Sequence, residues 1–291
     1  MIETFSLTRH YGRCVAVDDV SLRIADGETF GFLGLNGAGK TTVMRMLAGL
    51  LRPTRGHTRV GGVDVRGPAD MQRLIGVLSF VSQEMRFYER ATLHELLRVY
   101  AALAGVPPDR GIAFARQAGV PLDRACARLS PGQQRKAQLA IALLKEPRYL
   151  LLDEPTAGLD PQGVAELRDV VRALHAGGCT VFLSSHVLGE VQALCTSVGI
   201  LHQGRLCYQS CVEEAYVIGI PGDGAHAAAL LRDAGIAAVP APGGVRVAVS
   251  QPDLPAVIER LVAQGMRTGL VQAASLEEIF QQVLQRSEVT A

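Results

Sequence analysis

The chain has 291 residues, with 29 lysines and arginines against 28 aspartates and glutamates and a formal net charge of +1. That length holds one large domain or two ordinary ones with a full core. Both signs of charge are spread along it without a basic block, which argues against a nucleic-acid partner.

Residues 1–10 lack the apolar core of a signal peptide, and no eighteen consecutive residues are apolar. A soluble chain without a leader or membrane span is therefore expected. The six cysteines, Cys14, Cys126, Cys179, Cys195, Cys207 and Cys211, form no C-x-x-C pair and show no zinc spacing with histidine. Reduced thiols in a cytosolic fold are the plain expectation, with Cys207 and Cys211, near a domain junction, the alternative place for a redox or metal role.

Residues 1–33 alternate short apolar segments with polar turns, as antiparallel strands joined by tight turns do. Tyr11-Gly12 lies in this region; an aromatic there is packing unless a planar base has to be stacked. Thr29-Phe30-Gly31-Phe32-Leu33 then predicts a strand. It leads into Gly34-Leu35-Asn36-Gly37-Ala38-Gly39-Lys40-Thr41-Thr42, a match to the phosphate-cradling P-loop pattern G-x-x-x-x-G-K-[ST]. Val43, Met46, Leu47 and Leu50 predict an amphipathic helix after it. In that setting the glycines let backbone N–H groups wrap an anion, and the helix adds its unsatisfied N–H groups and positive end. Lys40 brings a full charge to the β- and γ-phosphates, and the Thr41 hydroxyl is placed to ligate Mg²⁺. A bound nucleoside triphosphate is expected.

Val77-Leu78-Ser79-Phe80-Val81 predicts a strand ending at Ser82-Gln83-Glu84, followed by the bulky stretch Met85-Arg86-Phe87-Tyr88. From Thr92 a helix is expected with Leu93, Leu96, Leu97 and Tyr100 on one face, then a loop over 105–111 and a second helix. Leu129-Ser130-Pro131-Gly132-Gln133 opens another helix; Ser130 and Gln133 have capping-box spacing and Pro131 falls at the first helical position. Tyr149-Leu150-Leu151-Leu152, ending in Asp153-Glu154-Pro155, predicts a strand buried on both faces. A helix marked by Val164, Leu167, Val171 and Leu174 follows, and Thr180-Val181-Phe182-Leu183 predicts a strand ending at Ser184-Ser185-His186. Such alternation belongs to a parallel α/β sheet, whose ligands bind beyond the carboxyl ends of the strands. The P-loop, Gln83, Asp153, Glu154 and His186 all fall at such ends. After about residue 210 the order becomes β-α-β-β-α-β, a split βαβ or ferredoxin-like module, closed by a helix opening at Ser275…Glu278.

Together these motifs resemble the ATP-binding subunits of ABC transporters over residues 1 to about 210. Walker A resembles residues 34–42, the Q-loop Gln83, the signature (usually LSGGQ) residues 129–133, Walker B with its glutamate residues 150–154, the D-loop Gly158-Leu159-Asp160, and the H-loop His186. The resemblance implies an ABC ATP-binding domain over 1–210, with an N-terminal antiparallel β subdomain, a mixed, mainly parallel sheet core and a helical subdomain at about 84–146. A small α+β accessory domain is expected over 211–291. It further implies a homodimer or paired ATPase in which Walker A of one subunit and the signature of the other hold one ATP. Gly34, Asn36, Gly37, Ala38, Gly39, Lys40, Thr41 and Thr42 would then bind nucleotide, with Tyr11 stacking on adenine and Ser130, Gly132 and Gln133 approaching from the partner. Thr41, Gln83 and Asp153 would serve Mg²⁺, and Glu154, His186 and Gln83 the attack of water on the γ-phosphate.

Pro131 departs from the family, replacing the first signature glycine and removing an N–H donor. Met85, Phe87 and Tyr88 are either core or contacts to the membrane partner. The C-terminal module resembles that of ATPases paired with ABC-2 type exporters, which implies export through a separate permease and a place on the inner face of the cell membrane. The alternatives are a soluble ABC ATPase acting on ribosomes or DNA, whose second cassette, coiled coils or zinc cysteines are missing here, and a P-loop GTPase or kinase, which would leave the signature without a purpose.

Overall fold

In a computed structural model of the protein the described residues are 1–83, 87–211, 215–249, 252–273, 276, 277, 279–281 and 283. The chain divides into two compact units, Met1–Gln209 and Ser210–Ala291.

The first unit opens with an antiparallel hairpin, β1 (Ile2–Tyr11) and β2 (Cys14–Ile24), followed by β3 (Thr29–Leu33), which is buried along its length. Helix α1 (Lys40–Leu47) turns Val43, Met44, Met46 and Leu47 inward. Next, β4 (Arg55–Val60) and β5 (Val63–Val65) complete a sheet of order β2-β1-β4-β5. The sequence of β4 has no apolar run and carries no strand signal of its own. It is extended because β1 offers an antiparallel partner, setting Ile2 opposite Val60 and Thr4 opposite Thr58.

A short helix, α2 (Met71–Leu74), leads into β6 (Leu78–Val81). Helix α3 (Leu93–Ala104) starts at a capping box in which the Glu95 N–H donates to Thr92 Oγ1 and the Thr92 N–H to the Glu95 carboxylate. Leu93, Leu96 and Leu97 are buried, but the expected fourth position is corrected: Tyr100 is exposed and Ala101 is buried. The buried stripe runs 93, 96, 97, 101, which leaves Tyr100 at its edge. The expected loop over 105–111 is also corrected, because α4 (Asp109–Gln117) already begins at Asp109. Gly111 lies inside this helix, where a Cβ would come 2.6 Å from Leu97 Cδ2 and 2.9 Å from Ala140 O. The glycine serves helix–helix contact rather than a turn. With α5 (Pro131–Ala142) these helices share a small core that includes Leu97, Ala101, Ala115 and Ala137.

The chain then returns to the main sheet through β7 (Tyr149–Leu152), α6 (Pro161–Ala176), β8 (Thr180–Ser185), α7 (Leu188–Leu194), β9 (Ser197–His202) and β10 (Arg205–Cys211). The strand order is β10-β9-β3-β8-β7-β6, and the pairs from β9 to β6 are parallel. Phe30, Phe32 and Phe182 stack at its centre with ring centroids 5.3–6.2 Å apart. Both β7 and β8 are buried throughout, as strands covered on two faces must be. Parallel strands end on the same side, so the residues following β3, β6, β7 and β8 share one sheet edge.

The second unit contains β11 (Ala215–Gly219), α8 (Gly224–Asp233), β12 (Ala238–Ala241), β13 (Gly244–Ala248), α9 (Leu254–Ala263) and β14 (Val271–Ala273). Its sheet has the order β12-β13-β11-β14 and is antiparallel throughout. Ile218, Leu231, Val245, Val247, Val257 and Leu261 form its core. Leu276, Ile279 and Phe280 are helical and buried, whereas the expected capping pair Ser275 and Glu278 lies outside the described residues, as do Met85 and Glu84. Among the described residues no helix is long and apolar enough to cross a membrane.

Candidate nucleotide site

The glycine-rich loop joins β3 to α1 at the centre of the parallel sheet. Gly39, the residue before α1, has φ +106°, and a Cβ there would come 2.3 Å from Ala16 O. Only glycine fits both the conformation and the space. Leu35, Asn36 and Gly37 are exposed, Gly34, Ala38 and Lys40 are buried, and Gly39, Thr41 and Thr42 are half-buried.

Lys40 curls back over the loop, donating from Nζ to Gly34 O at 2.6 Å and Leu35 O at 3.3 Å. It also forms a buried ion pair with Glu154 Oε1 at 3.2 Å. The second carboxylate oxygen of Glu154 meets His186 Nδ1 at 2.8 Å. With Glu154 ionised, the carboxylate can only accept, so Nδ1 carries the imidazole proton in this pair. Three residues expected from separate motifs thus form one chain: Lys40, Glu154, His186.

Beside it, Thr41 Oγ1 donates to Asp153 Oδ1 at 3.1 Å, and Ser184 Oγ donates to the same oxygen at 2.7 Å. The Glu154 N–H in turn donates to Ser184 Oγ at 2.9 Å. Glu154 has φ +46°, a left-handed conformation that costs a non-glycine residue about 1–3 kcal/mol. The surrounding bonds hold it there. Ser184 was not among the expected site residues, although two serines closing an otherwise apolar strand are a readable signal.

Thr41 and Asp153 present hard oxygen donors of the kind Mg²⁺ prefers. Among the described residues no group of three or more His, Cys, Asp or Glu side chains could hold a metal alone. Such a set fits Mg²⁺ bound jointly with phosphate and water, which is how this ion is usually held in phosphoryl-transfer sites.

Gln83 is exposed beyond the end of β6, at the same sheet edge. Arg135, which the sequence reading did not single out, is buried on α5 and donates to Ser82 O and Glu154 O. Burial lowers its pKa while the Asp153 carboxylate opposes the shift, and so strong a base stays charged. A further cluster ties the segment after Glu154 to the end of β8 through α7: Thr156 Oγ1 and Ser185 Oγ both donate to Glu190 Oε2, at 2.5 and 2.9 Å.

The remaining expected residues stand apart from this cluster. Ser130 caps α5: the Gln133 N–H donates to Ser130 Oγ at 3.3 Å and the Ser130 N–H to Gln133 Oε1 at 3.2 Å, with Pro131 at the first helical position. Gly132 has open space where a side chain would stand, with only Leu159 Cδ2 within 4 Å, at 3.8 Å. Tyr11, at the end of β1, is 46% exposed, so packing does not account for it; the Arg9 guanidinium lies 4.7 Å from its ring centroid. Cys207 and Cys211 are exposed and in no disulfide, while Cys126, Cys179 and Cys195 are buried.

A P-loop leading from a parallel strand, facing a strand-end Asp-Glu pair across the intervening strand, defines a P-loop nucleoside triphosphatase. Residues 17–157 match the ABC transporter family. The chain is 39% identical over 208 residues to the ABC transporter ATP-binding protein NatA of Bacillus subtilis, covering 69% of this chain and 84% of that protein. It is 34% identical over 221 residues to the bacitracin transport ATP-binding protein BcrA of Enterococcus faecalis, covering 74% and 71%. The dimeric structure of a bacterial ABC transporter cassette superposes with a TM-score of 0.68 at 21% identity, covering 73% of this chain and 99% of that one. The protein belongs to the ABC transporter family, as an ATP-binding, ATP-hydrolysing subunit.

Proposed function

We propose that this subunit powers export of a compound through a separate integral membrane permease, from the inner face of the cell membrane. The observation that carries the chemistry is the linked set Lys40–Glu154–His186 beside Thr41–Asp153. ATP would lay its β- and γ-phosphates on residues 34–42, drawing Lys40 from Glu154 to the phosphates. That exchange releases one Glu154 oxygen to accept a proton from water, while His186 keeps the other oxygen oriented. Thr41 and Asp153, with Gln83, would hold Mg²⁺, which when bound neutralises charge on the phosphates. Tyr11 would stack on adenine with the ring face that Arg9 leaves open.

ABC cassettes work with membrane permeases, and a two-fold pair of cassettes supplies what one chain lacks. Ser130, Gly132 and Gln133 of a second copy would complete the γ-phosphate site. The open space at Gly132 supports this, since the chain's own packing does not require a glycine there. Because Ser130 and Gln133 keep their capping geometry around Pro131, the trans contact survives the missing N–H. The β12-β13-β11-β14 order of the second unit supports reading it as a ferredoxin-like accessory module. The relatives support a transporter over the soluble alternative, being a bacitracin transport protein and a transporter ATP-binding protein rather than ribosome or DNA ATPases.

The test is to purify the tagged chain from detergent-solubilised membranes and reconstitute the complex in vesicles with the cassette outward. ATP-dependent accumulation of substrate inside such vesicles is the result expected of an exporter. A chain that carries no integral membrane protein with it, or that drives substrate out of these vesicles, refutes the proposal.

A further inference from the structure

Arg135 stands on α5, the helix that carries Ser130 and Gly132 at its start, and is 7% exposed. Its guanidinium donates to Gln138 Oε1 at 2.9 Å on the same helix, to Ser82 O at 3.3 Å and to Glu154 O at 3.1 Å. Three segments therefore meet on one planar cation: the signature helix, the stem of the loop carrying Gln83, and the residue expected to activate water. Both backbone polar groups of Glu154 are bonded to side chains, its N–H to Ser184 and its C=O to Arg135, the latter shared with the Ala157 N–H. This is the residue with φ +46°, a backbone that returns to a commoner conformation unless its surroundings over-determine it.

We infer that Arg135 is a positioning residue, which holds the Glu154 backbone so that the carboxylate stays aligned between Lys40 and His186. An apolar side chain of similar bulk would fill the space but remove this donor from Ser82 O and leave Glu154 O with the Ala157 N–H, 3.2 Å away, in place of the buried cation. A lysine would keep the charge and lose the planar fork that reaches separated acceptors. Because the fork is mounted on α5, a displacement of the signature end is felt at Glu154 and Ser82 together. The signature of one copy, engaged with its partner's nucleotide, thereby reports to the hydrolytic residue of its own site. This rests on the catalytic reading of Glu154 given above.

The experiment compares Arg135→Ala, Arg135→Lys and Glu154→Gln in the full-length chain, measuring ATP turnover, binding of a fluorescent ATP analogue and thermal unfolding. Arg135→Ala is expected to lower kcat at least about tenfold while the analogue's Kd stays within about threefold, and Arg135→Lys to recover part of the loss. ATP-bound dimer should persist longer in Arg135→Ala, as it does when hydrolysis alone is slowed. A folded Arg135→Ala with kcat within about twofold of wild type overturns the inference, as does a loss of ATP binding that matches the loss of rate. If the alanine variant does not fold, the lysine variant decides, and wild-type kcat in it overturns the inference. Full turnover in Glu154→Gln would instead refute the assignment of Glu154, whatever Arg135 does.

Discussion

The parallel sheet of the first unit and the antiparallel sheet of the second both bury apolar cores, but they differ in what they do with their edges. In the first unit β3, β8, β7 and β6 run parallel, so the P-loop, His186, Asp153, Glu154 and Gln83 emerge on one side. In the second unit every pair is antiparallel, so successive strand ends point to opposite sides. A parallel sheet concentrates chemistry at an edge, whereas an antiparallel one divides its loops between two. The candidate nucleotide site therefore lies in the first unit.

The sharpest way to break that contrast is Glu154→Gln. Turnover should fall by at least about a thousandfold, close to 4 kcal/mol, with nucleotide binding retained, as measured by steady-state phosphate release and analogue binding. Core truncation separates the units next. Phe182→Ala removes a ring from the Phe30–Phe32–Phe182 stack and should cost about 3–5 kcal/mol, abolishing ATP binding as the first unit melts. Leu231→Ala, fully buried in the second unit, should cost about 2–5 kcal/mol in calorimetry. ATP affinity should nonetheless change less than about twofold, since the two units have separate cores.

Pro131→Gly is a smaller perturbation. Turnover should change by less than about tenfold, or 1.4 kcal/mol, because the capping geometry of Ser130 and Gln133 is independent of that N–H. A larger gain would mean that the proline limits the trans contact. The last test is of pH dependence. Burial pushes the Cys126 and Cys179 thiols from their usual 9.0 up to about 11. The unfolded chain therefore releases these protons first, and the first unit loses stability as pH rises from about 9 toward 11. Melting curves across that window should show the decline, lessened in Cys179→Ala. At neutral pH a thiol reagent should label Cys14, Cys207 and Cys211 but not Cys126, Cys179 or Cys195.

Legibility varied from strand to strand within the first unit. Strands β3, β7 and β8 are short apolar runs because both faces are covered, and helices α3 and α5 announce themselves by caps at Thr92 and Ser130. Strands β4 and β10 do not, since β4 depends on its pairing with β1 and β10 alternates between exposed and half-buried positions. Gly111 looked like a loop residue because a helical glycine needed for close packing carries the same letter as one needed for a turn.

By itself the sequence determined which residues are candidates for the chemistry. P-loop, Asp153-Glu154 and His186 are local patterns, each set by the backbone or charge that phosphate requires. Only the tertiary structure decided how they are joined: Lys40 to Glu154, Ser184 between Asp153 and Glu154, and Arg135 across α5, Ser82 and Glu154. Those partners lie from 19 to 114 positions apart, and no local periodicity encodes a hydrogen bond that exists only once separate strands and helices have been brought to one edge.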